Sequence, residues 1–208
     1  MATNIRNNID LEGTKVKTIY GMKTIKLTQL ADDTTLFLKS KNEINIALNT
    51  VKEFGNVSGL KLNKNKTEGM WIGKLKHCNE KIGNINWSNK PVKALGIYFG
   101  HNQKECIHLN WIAKLELCEK LIKNWSKRNL TFFGKVKIIK SLIMPKFVYL
   151  AQSLIVPTDI LKEITSLIFT FLWSGKREKI KRTTVIGLKT EGGLDMCDPN
   201  TFFYIIKT

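Results

Sequence analysis

The chain is 208 residues long and 43% hydrophobic, enough to bury one ordinary core or two small ones, which excludes disorder throughout. Lysine and arginine number 34 against 17 aspartates and glutamates, a formal charge of +17, and an excess of that size points to a polyanionic partner, nucleic acid first. No apolar run approaches the roughly 20 residues that span a bilayer, and the basic residues are scattered rather than gathered on one amphipathic helix, so a membrane partner ranks well behind.

The N-terminal MATNIRNNID carries no apolar signal-like core, so an intracellular compartment, nuclear or cytoplasmic, is expected rather than secretion. Cys78, Cys106, Cys118 and Cys197 form no C-x-x-C pair, and His77, His101 and His108 add no zinc-ligand register around them. Free thiols are expected, with Cys118 on an apolar helical face and therefore in a core.

Ile25 to Leu30 and Thr34 to Leu38 are short apolar and β-branched stretches on either side of Ala31-Asp32-Asp33, which predicts a hairpin with both aspartates at the bend. From Glu43 onward Ile44, Leu48, Val51 and Phe54 recur at helical spacing until Gly55 to Gly59 end the run. Leu60-Lys61-Leu62 leads into a Lys and Asn loop, then Gly69 to Gly73, and Val92 to Phe99 reads as a strand interrupted at Gly96. Beyond Gly100 the period changes. Trp111, Leu115, Cys118, Ile122 and Trp125 mark one helix, Phe133 to Ile143 a second that stops near Pro145, and Ile160 to Phe171 a third opened by Pro157-Thr158-Asp159 and closed by Gly175. The boundary between a mixed half and a helical half falls between Gly100 and Asn110, giving α+β over residues 1–104 and 105–208.

Two neighbouring carboxylates on a tight turn offer oxygen ligands suited to Mg²⁺. Aspartate also favours turns for its own reasons, so Asp32 and Asp33 alone leave the metal and the plain-turn readings open. Their neighbours in chain order carry more. Gln29 to Thr34 is followed by an amphipathic helix, then by Ser58-Gly59-Leu60-Lys61-Leu62-Asn63 with Lys66-Thr67-Glu68, then by Lys93-Ala94-Leu95-Gly96-Ile97. Further on stand Trp125 to Leu130, Phe133-Gly134-Lys135-Val136, Leu142 to Lys146, Phe171 to Lys176 and Glu191 to Leu194. This series resembles the end of the palm and the thumb of LINE-type (non-LTR) retrotransposon reverse transcriptases, over nearly the whole chain from about Ile5.

The resemblance implies a partial polymerase palm of antiparallel hairpins with a helix, followed by an all-helical thumb-like region and the start of the next segment. It implies an RNA-directed DNA polymerase using Mg²⁺, an RNA template and a DNA primer, with Asp32 and Asp33 as metal and catalytic residues. Lys66 matches a lysine near the nucleotide triphosphate, and spacing alone reads it equally as a solvated lysine beside Lys61 and Lys64. Leu95 and Gly96 match the primer grip, against a bland β-bulge. Lys61, Lys120, Lys123, Lys127, Arg128, Lys135, Lys137, Lys140, Lys176 and Arg177 are candidate nucleic-acid contacts, about half of which a charge run leaves as solvated surface.

Two departures from the family pattern are visible. Few residues precede Asp32, so the first catalytic aspartate, the fingers and the substrate-selecting segment are expected to be missing, and the chain is expected not to polymerise alone. Leu30 stands where the family usually has an aromatic residue, and the chain is expected to end at Thr208 inside a helix. A non-catalytic, basic nucleic-acid-binding module is the alternative reading.

Overall fold

In the computed structural model, which describes residues 1–206, regular structure begins well before the aspartate turn. Helix α1 (Ala2–Asn7) precedes a hairpin of β1 (Thr14–Thr18) with β2 (Gly21–Ile25), antiparallel with Thr18 opposite Gly21. The chain bends at Lys26, whose ammonium donates to the Arg6 and Asn8 carbonyls at 2.9 and 2.8 Å. The expected Ile25 to Leu30 strand is therefore split, and only β3 (Leu27–Leu30) pairs with β4 (Asp33–Leu36).

Helix α2 (Lys41–Ser58) starts earlier than its apolar period indicates, because Ser40 and Glu43 form a variant of the capping box in which the Glu43 carboxylate reaches back to Lys39, one residue before the cap. The Ser40 hydroxyl accepts from the Glu43 N–H at 3.4 Å, and the buried Glu43 carboxylate accepts from the Lys39 N–H at 3.2 Å. The helix runs through Gly55 and ends at Gly59, whose left-handed φ of 74° lets its N–H reach the Gly55 carbonyl. Ala47 of α2 packs with Ile5, Leu11 and Leu27, and Leu36, Leu38, Ile46 and Val51 close around them. This small core seats the β3–β4 hairpin on the helix.

Past α2, β5 (Glu68–Gly69) pairs in parallel with β6 (Asn86–Trp87) over two residues, and β7 (Val92–Ala94) pairs antiparallel with β8 (Ile97–Phe99). The Val92 to Phe99 strand with a break at Gly96 is thus a two-residue hairpin turned at Leu95-Gly96. Each of these pairs is a separate two-stranded sheet.

The chain divides into two units, Met1–Gln103 and Lys104–Thr208, and the second is helical. Helices α3 (Gln103–Ile107) and α4 (Ala113–Trp125) are joined by a wider π-type turn at His108–Ile112, and α5 (Phe132–Ile138) and α6 (Pro145–Ser153) by another at Ile139–Ile143. Pro145 does not stop the second run. The Met144 N–H reaches back five residues to the Ile139 carbonyl at 2.9 Å, and the widened turn accommodates a residue that has no N–H of its own. Helix α7 (Thr158–Leu172) buries Ile160, Ile164, Ile168, Phe169, Phe171 and Leu172; α8 (Arg182–Ile186) and α9 (Pro199–Ile205) follow. Trp111, Leu115, Cys118 and Ile122 are buried as their spacing predicts, and burial pushes the Cys118 thiol up to about 11. The expected end inside a helix at Thr208 lies outside the described residues.

The α+β class expected from the sequence holds, with hairpins and a helix first and helices after. Replacing Ser40 or Glu43 with Ala should each cost about 1 kcal/mol, the usual worth of an N-cap, measured by urea unfolding followed by far-UV circular dichroism. An unchanged midpoint in both variants would show that the box does not hold the start of α2.

Candidate functional site

Leu30 lies opposite Asp33 in the β3–β4 register, so the connecting turn is Ala31-Asp32. So tight a loop forces a left-handed residue, and Ala31 takes it with φ of 52°. Alanine is the smallest L side chain that can sit there, and Gln29 steadies the turn by donating from Nε2 to the Ala31 carbonyl at 3.2 Å. Asp32 and Asp33 are both exposed. Beside them the Thr34 hydroxyl is buried without a hydrogen-bond partner, an arrangement that costs about 1–3 kcal/mol.

Carboxylate oxygens at this turn suit Mg²⁺, which takes one or two carboxylates together with water and phosphate oxygens. Among the described residues, however, no group of three or more acidic, histidine or cysteine side chains comes together. The aspartate pair therefore fits Mg²⁺ as part of a ligand set and does not enclose it.

Lys66 is exposed on a turn of its own. Its N–H donates to the Asn63 carbonyl at 3.1 Å, and Asn86 of β6 ties the same loop down by donating to the Asn65 carbonyl at 3.1 Å. This turn is thus fixed by local bonds to Asn63 and by one bond from β6. Leu95 and Gly96 form the tip of the β7–β8 hairpin, with φ of 49° and 81°. Leucine in that region is unusual, at a cost of about 1–2 kcal/mol, and it leaves an apolar side chain standing out at a turn. Lys61 lies on the exposed loop after Gly59.

In the second unit Lys120, Lys123, Lys127, Lys176 and Arg177 are exposed. Lys120, Lys123 and Lys127 follow helical steps along one side of α4 and its end, with Glu116 one turn earlier on the same side. Arg128 is exposed too, its guanidinium 4.5 Å from the centre of the Trp125 ring. Lys140 is occupied by Asp195, to whose carboxylate it donates at 2.8 Å. Contacts between Lys189 and Phe133, 5.5 Å from the ring centre, were not legible from spacing because they join residues far apart in the chain.

Lys135 departs from the expectation that groups it with phosphate-tracking lysines. It is buried, and its ammonium donates to the Leu172 carbonyl at 3.1 Å and to the Ser174 hydroxyl. It lies 5.9 and 5.8 Å from the Phe132 and Phe171 ring centres. Burial, and then the charge on nearby Lys176, lower its pKa. Lys135 thus caps the C-terminal end of α7, where a cation meets the negative end of the helix dipole. Its position was readable: Phe132, Lys135, Val136 and Ile139 share one helical stripe.

Residues 6–99 match the reverse transcriptase (RNA-dependent DNA polymerase) family. The chain is 24% identical over 173 residues to a transposon TX1 uncharacterised 149 kDa protein of Xenopus laevis, covering 81% of this chain and 13% of that protein. It is 29% identical over 85 residues to a putative ribonuclease H protein of Arabidopsis thaliana, covering 38% of this chain and 14% of that one. The matches therefore span a small part of each relative's length, and they support a retrotransposon reverse-transcriptase-like segment.

Replacing Lys135 with Ala should cost about 1–3 kcal/mol of stability, since a buried carbonyl loses a charged donor. The same change at Lys120 should stay within about 0.5 kcal/mol. Urea unfolding of the two variants side by side checks this, and equal midpoints would contradict the capping role.

Proposed function

We propose that this chain is the C-terminal part of the palm, followed by the thumb-like helices, of a LINE-type (non-LTR) retrotransposon reverse transcriptase, and that it binds an RNA template with a DNA primer. The observation that carries the reading is the Ala31-Asp32-Asp33 turn, presented on a hairpin within the segment that matches the reverse transcriptase family. In this reading Asp32 holds Mg²⁺, Asp33 supports the second ion or the local hydrogen bonding, Lys66 approaches the triphosphate, and Leu95-Gly96 lies against the primer. Magnesium, when bound with a further carboxylate, activates the attacking hydroxyl and stabilises the leaving pyrophosphate. The orphaned Thr34 hydroxyl beside Asp33 supports a site that needs a neighbour to be complete. The 208 residues alone then bind template and primer without extending it.

A second reading, a non-catalytic nucleic-acid-binding module, draws on the same incomplete ligand set and keeps the aspartates as turn residues. The two separate on magnesium. Under the polymerase reading Mg²⁺ strengthens binding of an RNA–DNA primer–template several-fold, and Asp32→Ala removes that gain; under the module reading both proteins bind equally with or without the ion. Fluorescence anisotropy measures either outcome, and template-directed primer extension by this chain alone would overturn the claim that the site is partial.

Both readings predict a steep dependence on salt, because each phosphate neutralised by lysine or arginine releases a counterion. If about six phosphates are contacted, affinity falls roughly a thousandfold between 50 and 200 mM salt. Lys123→Ala and Lys176→Ala should each flatten the slope by about one unit if those side chains touch phosphate. A slope near zero would remove nucleic acid as the partner.

A further inference from the structure

A cleft of about 530 Å³ in the first unit lies apart from the aspartate turn and is lined by Lys76, His77, Asn79, Asn89 and His101. Each of these side chains can donate a hydrogen bond, and none is a carboxylate. All five are exposed, and among the described residues none of these side chains has a hydrogen-bond or ion-pair partner within the protein, so their donors are open to a ligand from solvent. Such a set repels cations and lacks the carboxylate or thiolate ligands of a metal site.

The surrounding chain keeps that character. Between Gly73 and Gln103 stand Lys74, Lys76, Lys81, Lys90 and Lys93 against one acidic residue, Glu80. The Glu80 carboxylate is taken by the Lys41 ammonium at 2.5 Å, so it does not neutralise the cleft.

The walls are also held from behind. Trp71 and Trp87 stack with ring centres 4.3 Å apart and an interplanar angle of 15°. Their indole N–H groups donate to the Glu80 carbonyl at 3.1 Å and the Ile82 carbonyl at 2.8 Å, which fixes the segment that carries Asn79. Gly69 admits the stack, since a Cβ there would meet the Trp87 ring at 2.9 Å. The Lys76-His77 turn is closed by the Cys78 N–H donating to the Leu75 carbonyl at 2.8 Å.

We propose that this cleft is a phosphate-binding subsite, in which the Lys76 ammonium supplies charge and the His77 and His101 ring N–H groups and the Asn79 and Asn89 amides supply further donors. A backbone phosphodiester or a fully ionised phosphomonoester offers several acceptor oxygens and no donor on the phosphate, which matches that lining. The phosphate comes from a polynucleotide backbone or from a small phosphorylated molecule. The first of these sources rests on the nucleic-acid reading, whereas the subsite itself does not.

Nuclear magnetic resonance of the intact chain tests this. The chain has three histidines, and His108, in the other unit, is the internal reference. Inorganic phosphate should shift the His77 and His101 ring signals and the Asn79 and Asn89 side-chain amides saturably while leaving His108 in place. Lys76→Ala should weaken that phosphate affinity about tenfold, the loss of one charge-assisted hydrogen bond. If phosphate moves none of these signals, or moves His108 equally, the subsite is overturned. A short duplex shifting the same signals assigns the subsite to a backbone phosphate. Phosphate shifting them while a bound duplex does not assigns it to a small phosphorylated molecule. Phosphate shifting them with no duplex binding at all leaves the subsite standing and sinks the nucleic-acid reading.

Discussion

Asp32 and Asp33 owe their position to the burial of Leu27. That side chain sits with Ile5, Leu11 and Ala47 in a core small enough that each member touches a different element: α1, the connection after it, β3 and α2. Seating β3 on α2 fixes the face of the hairpin, because a one-residue slip would carry Leu27 and Leu36 to the solvent side. With the face fixed, the two-residue loop must fall at Ala31-Asp32, and the left-handed conformation at Ala31 follows from the shortness of the loop. The aspartates are thus held at the tip by an apolar contact several residues away rather than by bonds of their own. A truncation of Leu27 would loosen the turn without touching it.

Stripes of apolar residues at helical spacing made the helical half readable, since Trp111, Leu115, Cys118 and Ile122 are buried in the order they are spaced. The β1–β2 hairpin was not readable because neither face is buried: its residues are mostly exposed, and a strand without an inward face has no alternation to detect. The start of α2 was hidden for a different reason. Its signal is polar, the Ser40 and Glu43 pair, and lies ahead of the apolar period. Pro145 read as a stop because a proline inside a helix removes a bond, yet the widened turn before it makes the missing bond unnecessary.

The candidate site divides along the same line. The aspartate turn was readable because loop length and residue type determine it locally. Lys135 is hidden within a charge run, and its place on the stripe with Val136 and Ile139 is what accounts for its burial. The donor-lined cleft could not have been read, since it gathers residues from three stretches of chain. Spacing reveals what one element presents; it is silent on what three loops share.

The separate two-stranded sheets carry a consequence for the molecule in solution. Every strand in a two-stranded sheet has one side whose N–H and C=O groups face no neighbouring strand, and such sides invite pairing with other chains. Lys15, Lys17 and Lys23 stud the β1–β2 hairpin on both of its strands, where they repel a second copy. The positive charge of the chain therefore also acts as a colloidal spacer, which salt or any bound polyanion would screen. Neutralised, the same chain becomes a sticky one, with its strand edges left as templates for self-association.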